Sequence, residues 1–175
     1  LVGSEMCIRD RQPAIAATRE AYKRCGKDPS RYRPSAEALR RRLMRGLELY
    51  QIDTLVDLVN LVSLRTGYSI GGFDADKIQG DSLELGIGRA EEPFEGIGRG
   101  TLNIEGLPVY RDRAGGIGTP TSDNERTKMG LETRRILAIV NGYNGREGLA
   151  EAAGMIQELL RKYADSDGGT IRYFE

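Results

Sequence analysis

The stretch Val56-Asp57-Leu58-Val59-Asn60-Leu61-Val62-Ser63-Leu64, continued by Gly71-Gly72-Phe73-Asp74-Ala75-Asp76-Lys77-Ile78, decides the reading of this chain. Leu55, Val56, Leu58, Val59, Leu61, Val62 and Leu64 wrap nearly all round a helix that Thr54 can cap and Gly67 can end. A helix apolar on every side is expected to be buried. Asp57 and Asn60 lie three apart and share a face with Asp53. Buried polar groups need partners, so these side chains either anchor neighbouring loops or present hydrogen bonds to a pocket. After the helix the sequence reads as a glycine-punctuated loop and an acidic turn into a strand.

Upstream, residues 13–25 read as a helix with Ile15, Ala16, Thr18 and Tyr22 on one face and Gly26 as its stop. Ser35 can cap a second helix, in which Leu39, Leu43 and Leu47 recur every four residues with Met44 beside them. Arg40, Arg41, Arg42 and Arg45 occupy the rest of that surface, either as a solvated face or as a phosphate contact. Downstream the period falls to two. Leu83, Leu85 and Ile87 alternate with polar residues and glycine. Residues 107–111 read as a second strand, with Pro108 at its start or at a sheet edge, and residues 114–118 as a third.

Residues 136–140 are continuously apolar, which predicts a fully buried central strand. Leu149, Ala152, Ala153, Ile156, Leu159, Leu160 and Tyr163 form a closing helical stripe, and residues 170–174 suit a last short strand. Helices first, then strands, then a helix make an α+β fold rather than a βαβ alternation. The helix at residues 53–66 is expected to pack beneath one sheet carrying residues 83–87 and 136–140.

Composition narrows the chemistry. The 175 residues suit one domain. Lys plus Arg and Asp plus Glu both total 26, which argues against a general polyanion binder and against DNA. Residues 1–50 nevertheless hold 12 basic against 6 acidic side chains, leaving room for a local basic face. Cys7 and Cys25 form no CxxC pair, so neither a disulfide framework nor a metal site follows. No apolar run is long enough to span a membrane, which makes the cytoplasm the default location. Histidine is absent, so any proton transfer falls to carboxylates, hydroxyls, backbone groups or the substrate.

Residues 1–11 have neither a periodic pattern nor signal-peptide architecture and resemble a translated sequencing adapter. They are expected to be non-native, with the true N-terminus lost and residues 12–175 forming the domain. Gly86-Ile87-Gly88, Gly96-Ile97-Gly98 and Gly116-Ile117-Gly118 complete no dinucleotide fingerprint, and no Walker lysine follows any of them. Asp74-Ala75-Asp76 begins like a calcium loop, but Ile78 and Gln79 then break the pattern. No cofactor and no metal are expected.

What survives is the tract at residues 119–128, which gathers hydroxyls, carboxylates and a guanidinium between two strands. It reads either as a polar surface loop built on Asx and Ser/Thr turns or as part of a site.

Together, the 56–78 segment and Ser122-Asp123-Asn124-Glu125-Arg126-Thr127-Lys128 resemble the core signature of the B3/B4 domain of the phenylalanyl-tRNA synthetase beta subunit, in its free-standing form. The two segments lie about 60 residues apart, in the family's order. The resemblance implies a three-layer fold, with an unusual β-sandwich flanked by helices. It also implies a tRNA 3′ end or aminoacyl-tRNA, or an amino acid, as the ligand.

In the editing activity that the resemblance implies, Glu125 and Thr119 would be catalytic. Asn60, Asp74, Ser122, Arg126 and Thr127 would bind substrate, and Arg40, Arg41 and Arg45 would contact RNA. The alternatives are a binding module without turnover and a structural interaction domain. Two departures stand out. The histidine of the synthetase's editing pocket has no counterpart, and residues 139–142 exit into glycine turns rather than a proline-containing segment.

Overall fold

The computed structural model describes residues 12–174, so the 1–11 tract and Cys7 lie outside the described residues. Helix α1 (Pro13–Arg24) starts at a proline, where the missing N–H has no intrahelical partner to lose. Its buried residues are Ala14, Ile15, Thr18 and Tyr22, three of them at four-residue spacing. In α2 (Ser35–Met44), Pro34 rather than Ser35 is the capping residue. The buried positions are Ala36 and Glu37, and Glu37 accepts Arg19 Nη1 at 2.8 Å.

The expected leucine stripe of α2 is not its core face. The helix ends at Met44, while Leu43 and Leu47 stand exposed. Helix α3 (Thr54–Thr66) is capped by Asp53 rather than Thr54, because Asp53 Oδ1 reaches the Val56 N–H at 3.0 Å. Gly67, at φ 80°, ends it in the left-handed conformation that favours glycine.

Strand β1 (Ser69–Asp74) occupies the stretch expected to be a loop, and all six of its residues are buried. Next come β2 (Glu84–Ile87), β3 (Glu95–Gly96), β4 (Gly100–Thr101), β5 (Pro108–Asp112), β6 (Gly115–Gly118) and β7 (Ile136–Asn141). β1 pairs antiparallel with β7, from Ser69 opposite Asn141 to Asp74 opposite Ile136. A second antiparallel sheet has the order β2-β5-β6, and β3 and β4 form a short ribbon. Pro108 opens β5, where its missing N–H is tolerated.

Helix α4 (Leu149–Ala164) closes the fold on Ala152, Ile156 and Leu160. It packs with α3 and the β1–β7 pair around Val59, Val62, Tyr68, Ile70 and Met129. A second core gathers Tyr22, Phe94, Ile104, Leu107 and Val109. Each fully buried side chain of this size contributes roughly 1.5–3 kcal/mol of transfer free energy.

The α+β order of elements therefore stands, and four further expectations are corrected. Residues 83–87 and 136–140 lie in different sheets, and α3 packs on the second of these alone. α3 is not buried all round: Val59, Val62 and Ser63 are buried, while Leu61 is 41% exposed. The 136–140 run is half-buried, because β7 belongs to a two-stranded sheet and has no second pairing neighbour among the described residues. Residues 170–174 form no strand and are exposed.

Candidate functional site

The 119–128 tract is built by its own side chains. The Thr119 N–H bonds the Ser122 carbonyl at 2.9 Å, turning the chain at Pro120. Thr119 Oγ1 accepts the Thr121 and Ser122 N–H groups at 3.2 and 3.1 Å and donates to the Ser122 carbonyl at 3.1 Å. This is a Ser/Thr turn in which the hydroxyl is fully used. The Asn124 N–H returns to the Ile117 carbonyl at 2.7 Å, and Asp123 bridges Gly118. Asn124 then caps a 3₁₀ turn (Glu125–Thr127) by accepting the Arg126 N–H at 2.9 Å.

Long-range bonds fix the tract in the fold. Arg126 donates to both oxygens of Asp112, at 2.8 and 2.9 Å, and to the Lys77 carbonyl at 3.4 Å. Asp112 also takes the Gln79 and Ala114 N–H groups, each at 2.8 Å. Burial acts to raise the Asp112 carboxyl, but the Arg126 guanidinium and these two amides hold it below the ordinary carboxylate range. At the other end, the Thr121 and Tyr22 hydroxyls share a hydrogen bond of 2.8 Å in the buried interior.

Asp123 is placed differently. Its Oδ2 accepts the Gly72 N–H of β1 at 3.0 Å. Two glycines face its other oxygen. A Cβ built on Gly71 would stand 3.1 Å from Oδ1, and one on Gly118 only 2.9 Å away. The same two positions would press on the Phe73 ring at 2.7 and 2.5 Å, so the strands approach this carboxylate as closely as they do because neither carries a side chain there. Among the described residues Oδ1 has no hydrogen-bond partner, and the residue keeps partial access to solvent. Burial of the carboxylate pushes its pKa up to about 7, against a small opposing effect of the Gly72 amide.

Alternate residues of the tract thus retain bonding capacity. Glu125 Oε1 pairs with Lys128 at 2.7 Å, but its Oε2 is buried without a partner among the described residues. The Thr127 hydroxyl is likewise buried and unpartnered. Ser122, Asn124 and Arg126 are all engaged.

Comparison with protein families places this arrangement. The family model of the B3/4 domain matches residues 17–162, which spans both the glycine-bearing β1 and the tract that folds against it. The chain belongs to the B3/4 domain family. It is thereby related to the B3/4 domain of the phenylalanyl-tRNA synthetase beta subunit. No curated protein matches it.

In this B3/4 domain, Thr119, Ser122, Glu125, Arg126 and Thr127 lie together in the tract. Asp74 joins them through Lys77, whose Nζ lies 3.3 Å from Asp74 Oδ2 and 2.9 Å from the Lys128 carbonyl. Asp74 is buried and also accepts Thr133 Oγ1 at 2.9 Å and the Asp76 N–H at 3.1 Å. Burial acts to raise its carboxyl, and these bonds outweigh that effect and hold it low.

Asn60 is half-buried on α3, with no hydrogen-bond partner among the described residues. Arg40 spends its guanidinium on the Leu64 and Arg65 carbonyls at the end of α3, satisfying a helix C-terminus. Arg41 lies 3.7 Å from Glu37, one turn away, and Arg45 is exposed. Two open clefts of about 440 and 460 Å³ lie elsewhere, one beside Tyr68 and Glu151, the other beside Asp76 and Arg135.

Neither Asp123 nor Asp112 has an expected role in the sequence. The glycine pairs were the available signal for Asp123, since glycine in a strand marks a close approach. What that glycine approaches depends on a contact spanning 51 positions.

Proposed function

We propose that this B3/4 domain binds the aminoacylated 3′ end of a tRNA at the 119–128 tract and hydrolyses the ester of mischarged tRNA in trans. One observation carries the reading: Glu125 Oε2 and Thr127 Oγ1, on a single 3₁₀ turn, are buried polar atoms without partners among the described residues. Buried polar groups are ordinarily bonded, and a bound α-ammonium group would complete Glu125. Thr119 shapes the turn, Ser122 and Arg126 brace it, and Asp74 secures its flank through Lys77. Asn60 and the exposed Arg45 are the groups left to meet the amino-acid side chain and the RNA backbone.

The chemistry asks little of the protein. An aminoacyl ester is already activated, so the domain need only position a water and stabilise the oxyanion, with the 2′-hydroxyl of the tRNA assisting. Editing exists because binding alone cannot strongly reject a near-isostere. Such a reaction belongs in the cytoplasm. Among the described residues no helix is long and apolar enough to cross a membrane.

A second reading, a binding module without turnover, draws on a different observation. The Thr119 hydroxyl and the Arg126 guanidinium are both committed inside the fold. Incubation of purified protein with mischarged tRNA-Phe and a panel of other aminoacyl-tRNAs separates the two. Turnover that is lost on Glu125→Gln supports the hydrolase. Binding without turnover by the wild type supports the module.

A further inference from the structure

We infer that Asp123 is the proton acceptor that activates the attacking water in this site, with Oδ1 as the accepting atom. The inference rests on the hydrolase reading above and gives it a base that the sequence did not assign.

Asp74 and Asp112 flank the same tract, and both have the bonding of structural carboxylates. Asp112 is bonded by two guanidinium nitrogens and two backbone amides. Asp74 is bonded by a threonine hydroxyl and a backbone amide, with a lysine ammonium at 3.3 Å. Asp123 departs from this pattern. A single backbone amide, Gly72 N–H at 3.0 Å, fixes the carboxylate by Oδ2 and leaves Oδ1 open. The two structural carboxylates use both oxygens, whereas Oδ1 of Asp123 is left free to meet a water or ligand.

The surroundings of Oδ1 favour proton transfer. Gly71 of β1 and Gly118 of β6 face Oδ1, so neither strand puts a side chain there at these positions. The Phe73 ring approaches the same two glycine positions. The turn after β3 contributes the Ile97 N–H, to the Asp123 carbonyl at 3.1 Å. None of these elements brings a charged or titratable side chain to the carboxylate. Three nearby cations are paired elsewhere: Arg126 with Asp112, Lys128 with Glu125, and Lys77 with Asp74 and Glu132. Arg99, on the turn after β3, is exposed, and no cation is among the causes that set the Asp123 carboxyl. With desolvation unopposed by a cation, the carboxylate titrates at about 7, where a general base serves best at neutral pH.

The step balances. Water gives one proton to Oδ1 while its oxygen bonds to the ester carbonyl carbon. The tetrahedral intermediate collapses with cleavage of the bond between the acyl carbon and the ribose 3′ oxygen. That oxygen takes the proton back from Asp123, leaving tRNA with a free 3′-hydroxyl. The released amino acid loses its carboxyl proton to solvent.

The test compares wild type with Asp123→Asn, whose amide oxygen can still accept the Gly72 N–H. Deacylation is followed on the mischarged panel, and binding is followed with an amide-linked, non-hydrolysable aminoacyl-tRNA analogue. Turnover is expected to fall by about 10²–10⁴-fold with binding changed by less than about twofold. The wild-type rate, corrected for spontaneous hydrolysis, should rise about tenfold per pH unit below about 7 and level off above it. Since that profile is measured on the wild type, it decides the matter even if the variant folds poorly. Full turnover by Asp123→Asn, or a flat wild-type profile from about pH 5.5 to about 8, overturns the role of Asp123 and leaves the hydrolase reading standing. No wild-type turnover on the whole panel, with the analogue bound, overturns hydrolysis and this role together and leaves the binding module.

Discussion

Asp123 Oδ2 accepts the backbone N–H of Gly72 at 3.0 Å, joining the loop after β6 to a strand 51 positions earlier. The bond places the carboxylate beside two glycine-bearing strands, where among the described residues no side chain hydrogen-bonds to it. A raised carboxyl pKa has a definite consequence for stability. In the native state Asp123 keeps its proton up to about pH 7, whereas in the unfolded chain it loses it near 4. Between those values the native state binds more protons, so stability falls as pH rises, and the loss is complete above 7.

Asp123→Asn removes that penalty. The variant should be more stable than wild type at pH 8, by on the order of 2 kcal/mol once partial solvent access is allowed for. The gain should shrink towards zero near pH 4. Urea melts of both proteins across this range check it. A variant less stable than wild type at pH 8 would mean that the carboxylate is favourably held rather than strained. Stabilisation together with lost turnover is the combination expected of a group kept for function.

The Phe73 ring fills the space that Gly71 and Gly118 leave open. Gly118→Ala puts a methyl group 2.5 Å from that ring and should cost about 1–3 kcal/mol by overpacking. Shortening the ring with Phe73→Leu should relieve part of the cost, so the double variant should be more stable than the two single effects added together. Simple additivity in denaturant melts would place the strain elsewhere.

Arg126 and Asp112 form a two-pronged ion pair in which the Asp112 side chain is fully buried. Arg126→Ala leaves that carboxylate without its cation and should cost about 3–5 kcal/mol at neutral pH. Because the Asp112 carboxyl is held low, the stability it confers is present above the ordinary carboxylate pKa and is lost as pH falls through its depressed native value. The deficit of Arg126→Ala should therefore narrow in acid. A deficit independent of pH would assign the loss to packing of the arginine stem instead.

Some of this architecture could be read from local pattern. The closing helix follows from the four-residue spacing of Ala152, Ile156 and Leu160, and that helix is where the structure has it. The α+β order follows from the change of period after the third helix. Patterns misled where the same chemistry serves two outcomes. Leu43 and Leu47 recur at helical spacing yet face solvent, since periodicity marks a face without saying that anything covers it. Residues 71–74 looked like a loop because glycine is uncommon in strands, but here glycine is what lets β1 lie close to the 119–128 tract. The tract itself was legible as a cluster of hydroxyls and carboxylates. Which of its members are spent on the fold was not, because Arg126 and Asp112, and Asp123 and Gly72, meet only in three dimensions.

The most direct test of the account is the titration of Asp123 itself. Carbon-13 NMR of the aspartate carboxyls, with Asp123→Asn assigning the resonance, follows its shift from about pH 3 to about 9. The account predicts a midpoint near 7, about three pH units above an ordinary aspartate. A midpoint near 4 would mean that the carboxylate is well solvated or paired, and would contradict both the stability argument and the assignment of Asp123 as a base.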